Sequence, residues 1–183
     1  MKELIHADVE RIMLTEQEIQ VRIKEIAAKL DVIYKGRNPI VVCILKGSVV
    51  FFADLIRNMS ATMELDFMSV SSYGAGAVSS GELKIKQDLR TNIQGRDVLI
   101  VEDIIDSGNT LYALKKLLIE RNPASLNIVT LLDKPDRRVA PIEPEYTCFV
   151  IEDEFVVGYG LDYAEQYRNL PYVGVLKRSV YEK

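Results

Sequence analysis

Apolar residues recur at helical spacing first at Ile19, Ile23, Ile26, Ala27 and Leu30, downstream of Thr15-x-x-Glu18. A threonine followed three residues later by a glutamate can satisfy two open backbone donors at a helix start, so a helix is expected from there until Gly36, ahead of Asn38-Pro39. Ile40–Leu45 is an unbroken apolar run, which marks a strand covered on both faces. The pattern then predicts a helix over 48–59, a strand over 64–70 and a Ser/Gly-rich loop over 71–82. A second buried strand is expected over 97–101, a helix over 110–121 and a third buried strand over 126–132, with the Pro-rich 141–145 as a turn. Strands alternating with helices of this length imply βαβ units around a parallel sheet. Ligands of such sheets sit outside the carboxyl ends of the strands, so LKGS at 45–48, EDIIDSGNT at 102–110 and DKPDRR at 133–138 fall on one rim.

Composition narrows the class. With 183 residues, 48% hydrophobic and 27% charged, the chain suits a single domain (1–183) that buries roughly 70% of its unfolded surface. A formal charge of −4 argues against a nucleic-acid protein, and an anionic ligand then needs a locally built site or a metal. Cys43 and Cys148 lie in apolar runs without metal-ligand spacing, which fits buried, reduced thiols. The amino terminus mixes charges among its apolar residues and does not read as a signal peptide, and no apolar run approaches a spanning length, so a cytoplasmic location is expected. The lone histidine, His6, is far in sequence from every rim cluster, which disfavours histidine catalysis.

The chemistry concentrates in VEDIIDSGNT, where an apolar strand meets Glu102, Asp103 and Asp106 within five positions. Three neighbouring carboxylates repel one another and are expected to stay hydrated, so a plain core gains nothing from them. From Asp106 through Ser107, Gly108, Asn109 and Thr110, backbone N–H groups and the start of a helix can converge on an anion, with Gly108 permitting close approach and two hydroxyls adding donors. Glu102 and Asp103 instead suit hydroxyl groups or hydrated Mg²⁺. A ribose 5-phosphate satisfies both demands. The plainer alternative is a capped helix with solvated acids, which leaves the acids unexplained. Neither GxxxxGK[ST] nor GxGxxG is present.

VLIVEDIIDSGNTL resembles the signature of type I phosphoribosyltransferases, and LKGS, SSYG, LLDKP and FVVGYGLDYAEQYRNLPYVGVL resemble the hypoxanthine (hypoxanthine-guanine) branch, over about residues 40–176. The resemblance implies an α/β fold with a central, mainly parallel sheet flanked by helices and a small hood, contributed by the terminal segments, over the carboxyl ends of the strands. It implies Mg²⁺-dependent transfer of the 5-phosphoribosyl group of phosphoribosyl pyrophosphate to N9 of hypoxanthine and guanine in purine salvage. Glu102 and Asp103 then hold the ribose hydroxyls or waters on Mg²⁺, residues 105–110, from Ile105 to Thr110, bind the 5-phosphate, and Asp106 is the general base that receives the N7 proton. Lys134 donates to O6 of an oxopurine and disfavours adenine, Phe155 stacks on the purine, and the backbone at Val156 and Asp162 reads the base edge. Asp162 also binds Mg²⁺ on the pyrophosphate side, and Arg168 holds pyrophosphate oxygens. Leu45, Lys46 and Gly47 form the pyrophosphate loop, with a cis peptide between Leu45 and Lys46.

Within the same resemblance, residues 71–82 form a lid whose Ser72 and Tyr73 reach pyrophosphate and whose closure keeps water from the sugar cation. The aromatic-rich segment YGLDYAEQYRNLPYVGVL suits either a base pocket or a subunit interface, and family members are homodimers or homotetramers. A regulator of the same fold that senses phosphoribosyl pyrophosphate and binds RNA or a repressor is the competing class. It would call for a basic surface, which the net charge of −4 does not favour. Preference among hypoxanthine, guanine and xanthine is not fixed by these residues.

Overall fold

The computed structural model describes residues 5–72 and 83–182. The first helix begins on its capping box: the Thr15 amide donates to the Glu18 carboxylate at 2.8 Å and the Glu18 amide to the Thr15 hydroxyl at 3.3 Å. From there α1, Glu16–Ile33, buries the expected stripe Ile19, Ile23, Ile26, Ala27 and Leu30. Strand β2, Ile40–Leu45, is buried over its first five residues, as an uninterrupted apolar run requires of a central strand. It leads through Ser48 into α2, Val49–Asn58, and then β3, Glu64–Ser72. After β4, Leu83–Gln87, come β5, Asp97–Ile105, helix α3, Asn109–Ile119, strand β6, Ser125–Asp133, and β7, Tyr146–Val150.

These six strands form one sheet in the order β4-β3-β2-β5-β6-β7, parallel throughout except for β4. Side chains alternate between its faces, as strand geometry demands. Val41, Cys43, Leu99, Val101 and Val129 pack against α1 and α2, while Ile40, Val42, Ile44, Val98 and Ile100 meet Leu111, Leu114 and Leu118 of α3. A separate antiparallel sheet joins the two ends of the chain: β1, Val9–Leu14, pairs with β9, Val173–Leu176, which pairs with the short β8, Val156–Val157. Helix α4, Arg178–Tyr181, follows β9.

The sequence pattern is corrected in three places. The second buried strand does not stop at Val101; β5 runs to Ile105, so Glu102 and Asp103 belong to the strand rather than to the loop after it. Residues 71 and 72, assigned to the loop, are the end of β3, because β4 pairs with them. Strands β1, β4, β7, β8 and β9 were not anticipated: VERIML and LKIKQ carry charges at alternate or adjacent positions and are only partly buried, and β7 to β9 are runs of five residues or fewer. Tyr73 and most of the expected lid lie outside the described residues.

The sheet sets the place of the site. From β2 the chain moves outward through α2 to β3, and from β5 it moves the other way through α3 to β6, so β2 and β5 flank the point where strand order reverses. Pairing between them ends at Cys43 and Val101, whereas β5 stays paired with β6 as far as Ile105 and Asp133. A crevice opens there, at Glu102. Cys43 and Cys148 are both buried free thiols, with burial pushing them up to about 11 and about 12 respectively, which leaves them protonated at neutral pH. Among the described residues, no helix is long and apolar enough to cross a membrane.

Candidate active site

The crevice between β2 and β5 is a cavity of about 240 Å³ walled by Leu45 and Gly47 on one side and by Glu102 through Leu111 on the other. The Leu45-Lys46 peptide on its rim is cis, as expected. Gly47 lies so close to Asp103 that a Cβ built on it would stand 1.6 Å from Asp103 Oδ2. The peptide carbonyl of Gly47 is equally crowded from the other direction, where a Cβ on Gly160, at φ +100°, would meet it at 2.0 Å. Two glycines therefore let the loop after β2 fit between a carboxylate and the turn after β8.

Below this loop, Glu102 and Asp103 are half-buried neighbours rather than the hydrated acids the sequence implied. Loss of water, and then repulsion from Asp103, hold the Glu102 carboxyl well above the usual carboxylate range. Burial raises Asp103 too, opposed by hydrogen bonds from Glu102 and the Ile104 amide and by the charge of Arg168. Glu102 thus holds its proton more tightly than a free carboxyl does, and a cation or sugar hydroxyls placed against the two acids would relieve the repulsion. Because the folded state binds that proton more tightly than the unfolded chain, the stability contributed is complete below the ordinary glutamate value of 4.5 and is lost as pH rises through the raised value. Glu102→Gln should accordingly raise the melting temperature at pH 7–8 in buffer free of divalent cations, by about 2–4 °C, with the gain vanishing near pH 4. Calorimetry across that range checks it, and a gain that grows on acidification contradicts the assignment.

The turn from Asp106 to Thr110 is held from behind. Ser107 O accepts from the amides of Val139 and Ala140 at 2.9 and 3.0 Å, and Asp106 O accepts from Arg138 Nε at 3.1 Å. Arg138 itself is fixed by the Ile142 carbonyl at 2.6 Å and by an ion pair with Asp133. Gly108, at φ +78°, caps α3, whose opening N–H groups have no partner within the helix and face an anion-sized cavity. Asn109 is exposed, whereas Ile105 is buried under the turn, its carbonyl accepting from the Lys134 amide at 2.9 Å.

A second cavity, of about 610 Å³, adjoins the first and shares Asp103, Ile104 and Asp106 with it. Lys134 lies in its wall, 7% exposed, with Nζ donating to the Glu154 carbonyl at 2.7 Å and 3.7 Å from Asp153. Phe155, Val156 and Asp162 line the same space, Phe155 with 40% of its surface open. Asp162 pairs with Arg168 at 2.8 Å, and Arg168 also donates to the Gly160 carbonyl at 2.8 Å. Lys46 reaches Glu165 at 3.1 Å, well exposed. The structure thus places most of the named residues around two joined cavities; Lys46 and Arg168 line neither and are held beside them by Glu165 and Asp162, Tyr73 is outside the described residues, and of Ser72 only the backbone is described, at the end of β3. Glu102 with Asp103 on one wall and Asp162 on another are separate acidic positions; among the described residues no three Asp, Glu, His or Cys side chains come together as one metal site.

Comparison with known proteins follows the same outline. Residues 11–164 match the phosphoribosyl transferase domain. The chain belongs to the phosphoribosyltransferase family. A hypoxanthine-guanine phosphoribosyltransferase of Bacillus subtilis is 54% identical over 175 residues, covering 96% of this chain and 97% of that protein. A hypoxanthine phosphoribosyltransferase from Staphylococcus aureus superposes with a TM-score of 0.96 at 50% identity, over the whole of both chains. The bifunctional protein TilS/HprT of Listeria innocua is 52% identical over 181 residues, and there the chain spans only 28% of the relative's length. Two residues lining the second cavity were not picked out in this phosphoribosyltransferase's sequence. Arg137 binds the Asp106 carboxylate at 2.7 Å and Asp153 at 3.2 Å, and the only sequence signal was its place in DKPDRR. Tyr181 lines the second cavity from α4, a segment whose sequence carries no motif.

Proposed function

We propose that this phosphoribosyltransferase serves purine salvage, moving the 5-phosphoribosyl group of phosphoribosyl pyrophosphate to N9 of hypoxanthine or guanine to give IMP or GMP and pyrophosphate. The observation that carries the reading is the position of Asp106, which belongs to both cavities: one offers helix-start amides to a phosphate, the other offers a buried ammonium and an open aromatic ring to a base. The residues 106–110 hold the 5-phosphate through N–H and hydroxyl donors, and Glu102 and Asp103 face the sugar hydroxyls. Asp106 takes the N7 proton as N9 bonds to C1 of the ribose. Leu45, Lys46, Gly47 and Arg168, with Ser72 and Tyr73 of the lid, are assigned to pyrophosphate. Lys134 donates to the 6-oxygen, Phe155 stacks on the ring, and the backbone of Val156 and Asp162 reads its edge.

The half-buried, mutually repelling acids Glu102 and Asp103, and Asp162 across the second cavity, have the all-oxygen donor chemistry that Mg²⁺ favours. Mg²⁺ held there would neutralise charge on the leaving pyrophosphate. A homodimer or homotetramer is supported by Leu65 and Phe67, 44% and 36% exposed on the β3 face that carries the α1 and α2 packing elsewhere in the sheet. The single unit over 1–183, with the β1-β9-β8 sheet as hood, and a cytoplasmic location complete the proposal.

An absorbance assay with phosphoribosyl pyrophosphate, Mg²⁺ and each of four bases tests it. Hypoxanthine and guanine should turn over, and adenine at least about 100-fold more slowly. Lys134→Ala should lower kcat/KM for hypoxanthine about 10- to 100-fold, the worth of a hydrogen bond from a charged donor, and barely affect adenine. Adenine used as well as hypoxanthine removes the role of Lys134; no turnover of any base points to the ligand-sensing class.

A further inference from the structure

Phe155 does not stand alone in its wall. The Tyr181 ring lies stacked on it, with centroids 4.8 Å apart and planes 21° from parallel, and Tyr163 meets it edge-on at 5.6 Å and 86°. One face and one edge of Phe155 are thus occupied, yet 40% of the residue remains exposed to the cavity that holds Lys134 and Asp162. The face of Phe155 turned away from Tyr181 has no ring against it among the described residues. The backbone builds this arrangement directly. Leu176 N donates to Phe155 O at 2.8 Å, and the chain then turns through α4 so that Tyr181, five residues on, returns to the ring. Lys177 pins the start of that turn, its amide on Asp8 O at 2.9 Å and its ammonium on Ala7 O at 2.6 Å. Val180 and Tyr181 pack against the cluster of Val9, Val157, Tyr172 and Leu176.

We propose that Tyr181 is a positioning residue for the purine base: it backs Phe155 so that base, Phe155 and Tyr181 form a three-layer stack, and the carboxyl-terminal turn thereby sets base affinity without touching the sugar-phosphate side. The inference rests on the proposed function for the identity of the base. A phenylalanine with one open flank can swing about its side-chain torsions, and a planar ligand must then hold it still at an entropic cost; a stacked neighbour removes that cost in advance. Offset aromatic pairs are worth enough that removing one should alter affinity about 3- to 10-fold.

The test is steady-state kinetics of the full chain, with base and phosphoribosyl pyrophosphate varied separately, for Tyr181→Ala, Tyr181→Leu and Tyr181→Phe. Leucine keeps apolar cover over Val9 and Leu176 and guards against a variant that simply fails to fold. Tyr181→Ala and Tyr181→Leu should raise KM for hypoxanthine about 3- to 10-fold, leave KM for phosphoribosyl pyrophosphate and kcat within about 2-fold, and Tyr181→Phe should restore the wild-type value. An unchanged KM for the base, or an equal rise in both KM values, overturns the proposal. A lower KM for the base overturns it as well, because the ring would then be an occupant that the base displaces. If the wild-type chain turns over no base, the functional reading fails first and takes this one with it; failure in the variants alone leaves that reading intact.

Discussion

Gly47→Ala is expected to reduce kcat/KM by about 100-fold or more while the sheet still folds. The added methyl would fall 1.6 Å from Asp103 Oδ2 and 2.7 Å from its Cγ, so either the carboxylate leaves its place or the loop after β2 lifts. The loop has little room to lift, since its carbonyl already touches the turn at Gly160. In the proposed role of Asp103, orienting the reacting sugar, a displacement near 1 Å is enough for a loss of about 100-fold. The core beneath is untouched, because Val41, Cys43, Val101 and α2 pack on the far side of the strand ends. Kinetics paired with a thermal melt separate the two effects. Activity within about 3-fold of wild type would show that Asp103 moves freely and does not orient anything.

Asp106→Asn should lower kcat by about 10²- to 10⁴-fold, the usual worth of a positioned general base, while KM for phosphoribosyl pyrophosphate changes only a few-fold. The amide keeps the size and the hydrogen-bonding reach of the carboxylate but cannot take the N7 proton. Asp106 is half engaged by Arg137, whose Nε lies 2.7 Å from Oδ1. That pair is half-exposed on both sides, where solvent screens it, so it yields readily when a base enters. Isotope-trapping and single-turnover measurements distinguish the cases. A variant whose kcat holds while phosphoribosyl pyrophosphate binding collapses would move Asp106 from proton transfer to sugar recognition.

The sheet was legible because its central strands are buried on both faces. Ile40–Leu45 and the run from Val98 to Val101 have no polar interruption, and α1 carries both its capping box and its stripe. Strand β1 was not legible, since VERIML finds its partner β9 more than 150 residues away and its burial depends on that pairing rather than on local pattern. The same reason hid the end of β5. Glu102 and Asp103 look like loop residues by polarity, and only pairing with β6 as far as Ile105 and Asp133 keeps them in the strand. On the rim, Asp106 through Thr110 could be found by local chemistry alone, as a glycine and hydroxyls ahead of a helix. Lys134, Phe155, Asp162 and Arg168 could not, because each is an ordinary residue until the fold brings the first three to the second cavity and Arg168 beside Asp162; the resemblance supplied them. Arg137 had only its place in DKPDRR on the rim, and Tyr181 had no signal at all.

Lys134 enters any encounter already committed. Two of its contacts, the Glu154 carbonyl at 2.7 Å and the Asp153 carboxylate at 3.7 Å, tether the ammonium inside the protein before a purine arrives. In the proposed role, an oxygen of the incoming base would accept an N–H of a cation that is already held in place, so no ordering of the lysine is needed for the bond. A hydrogen-bearing group at the same spot faces a fixed positive centre that has no slack to swing aside. A lysine tethered in this way would favour an acceptor at that position and disfavour a donor, both through one fixed ammonium.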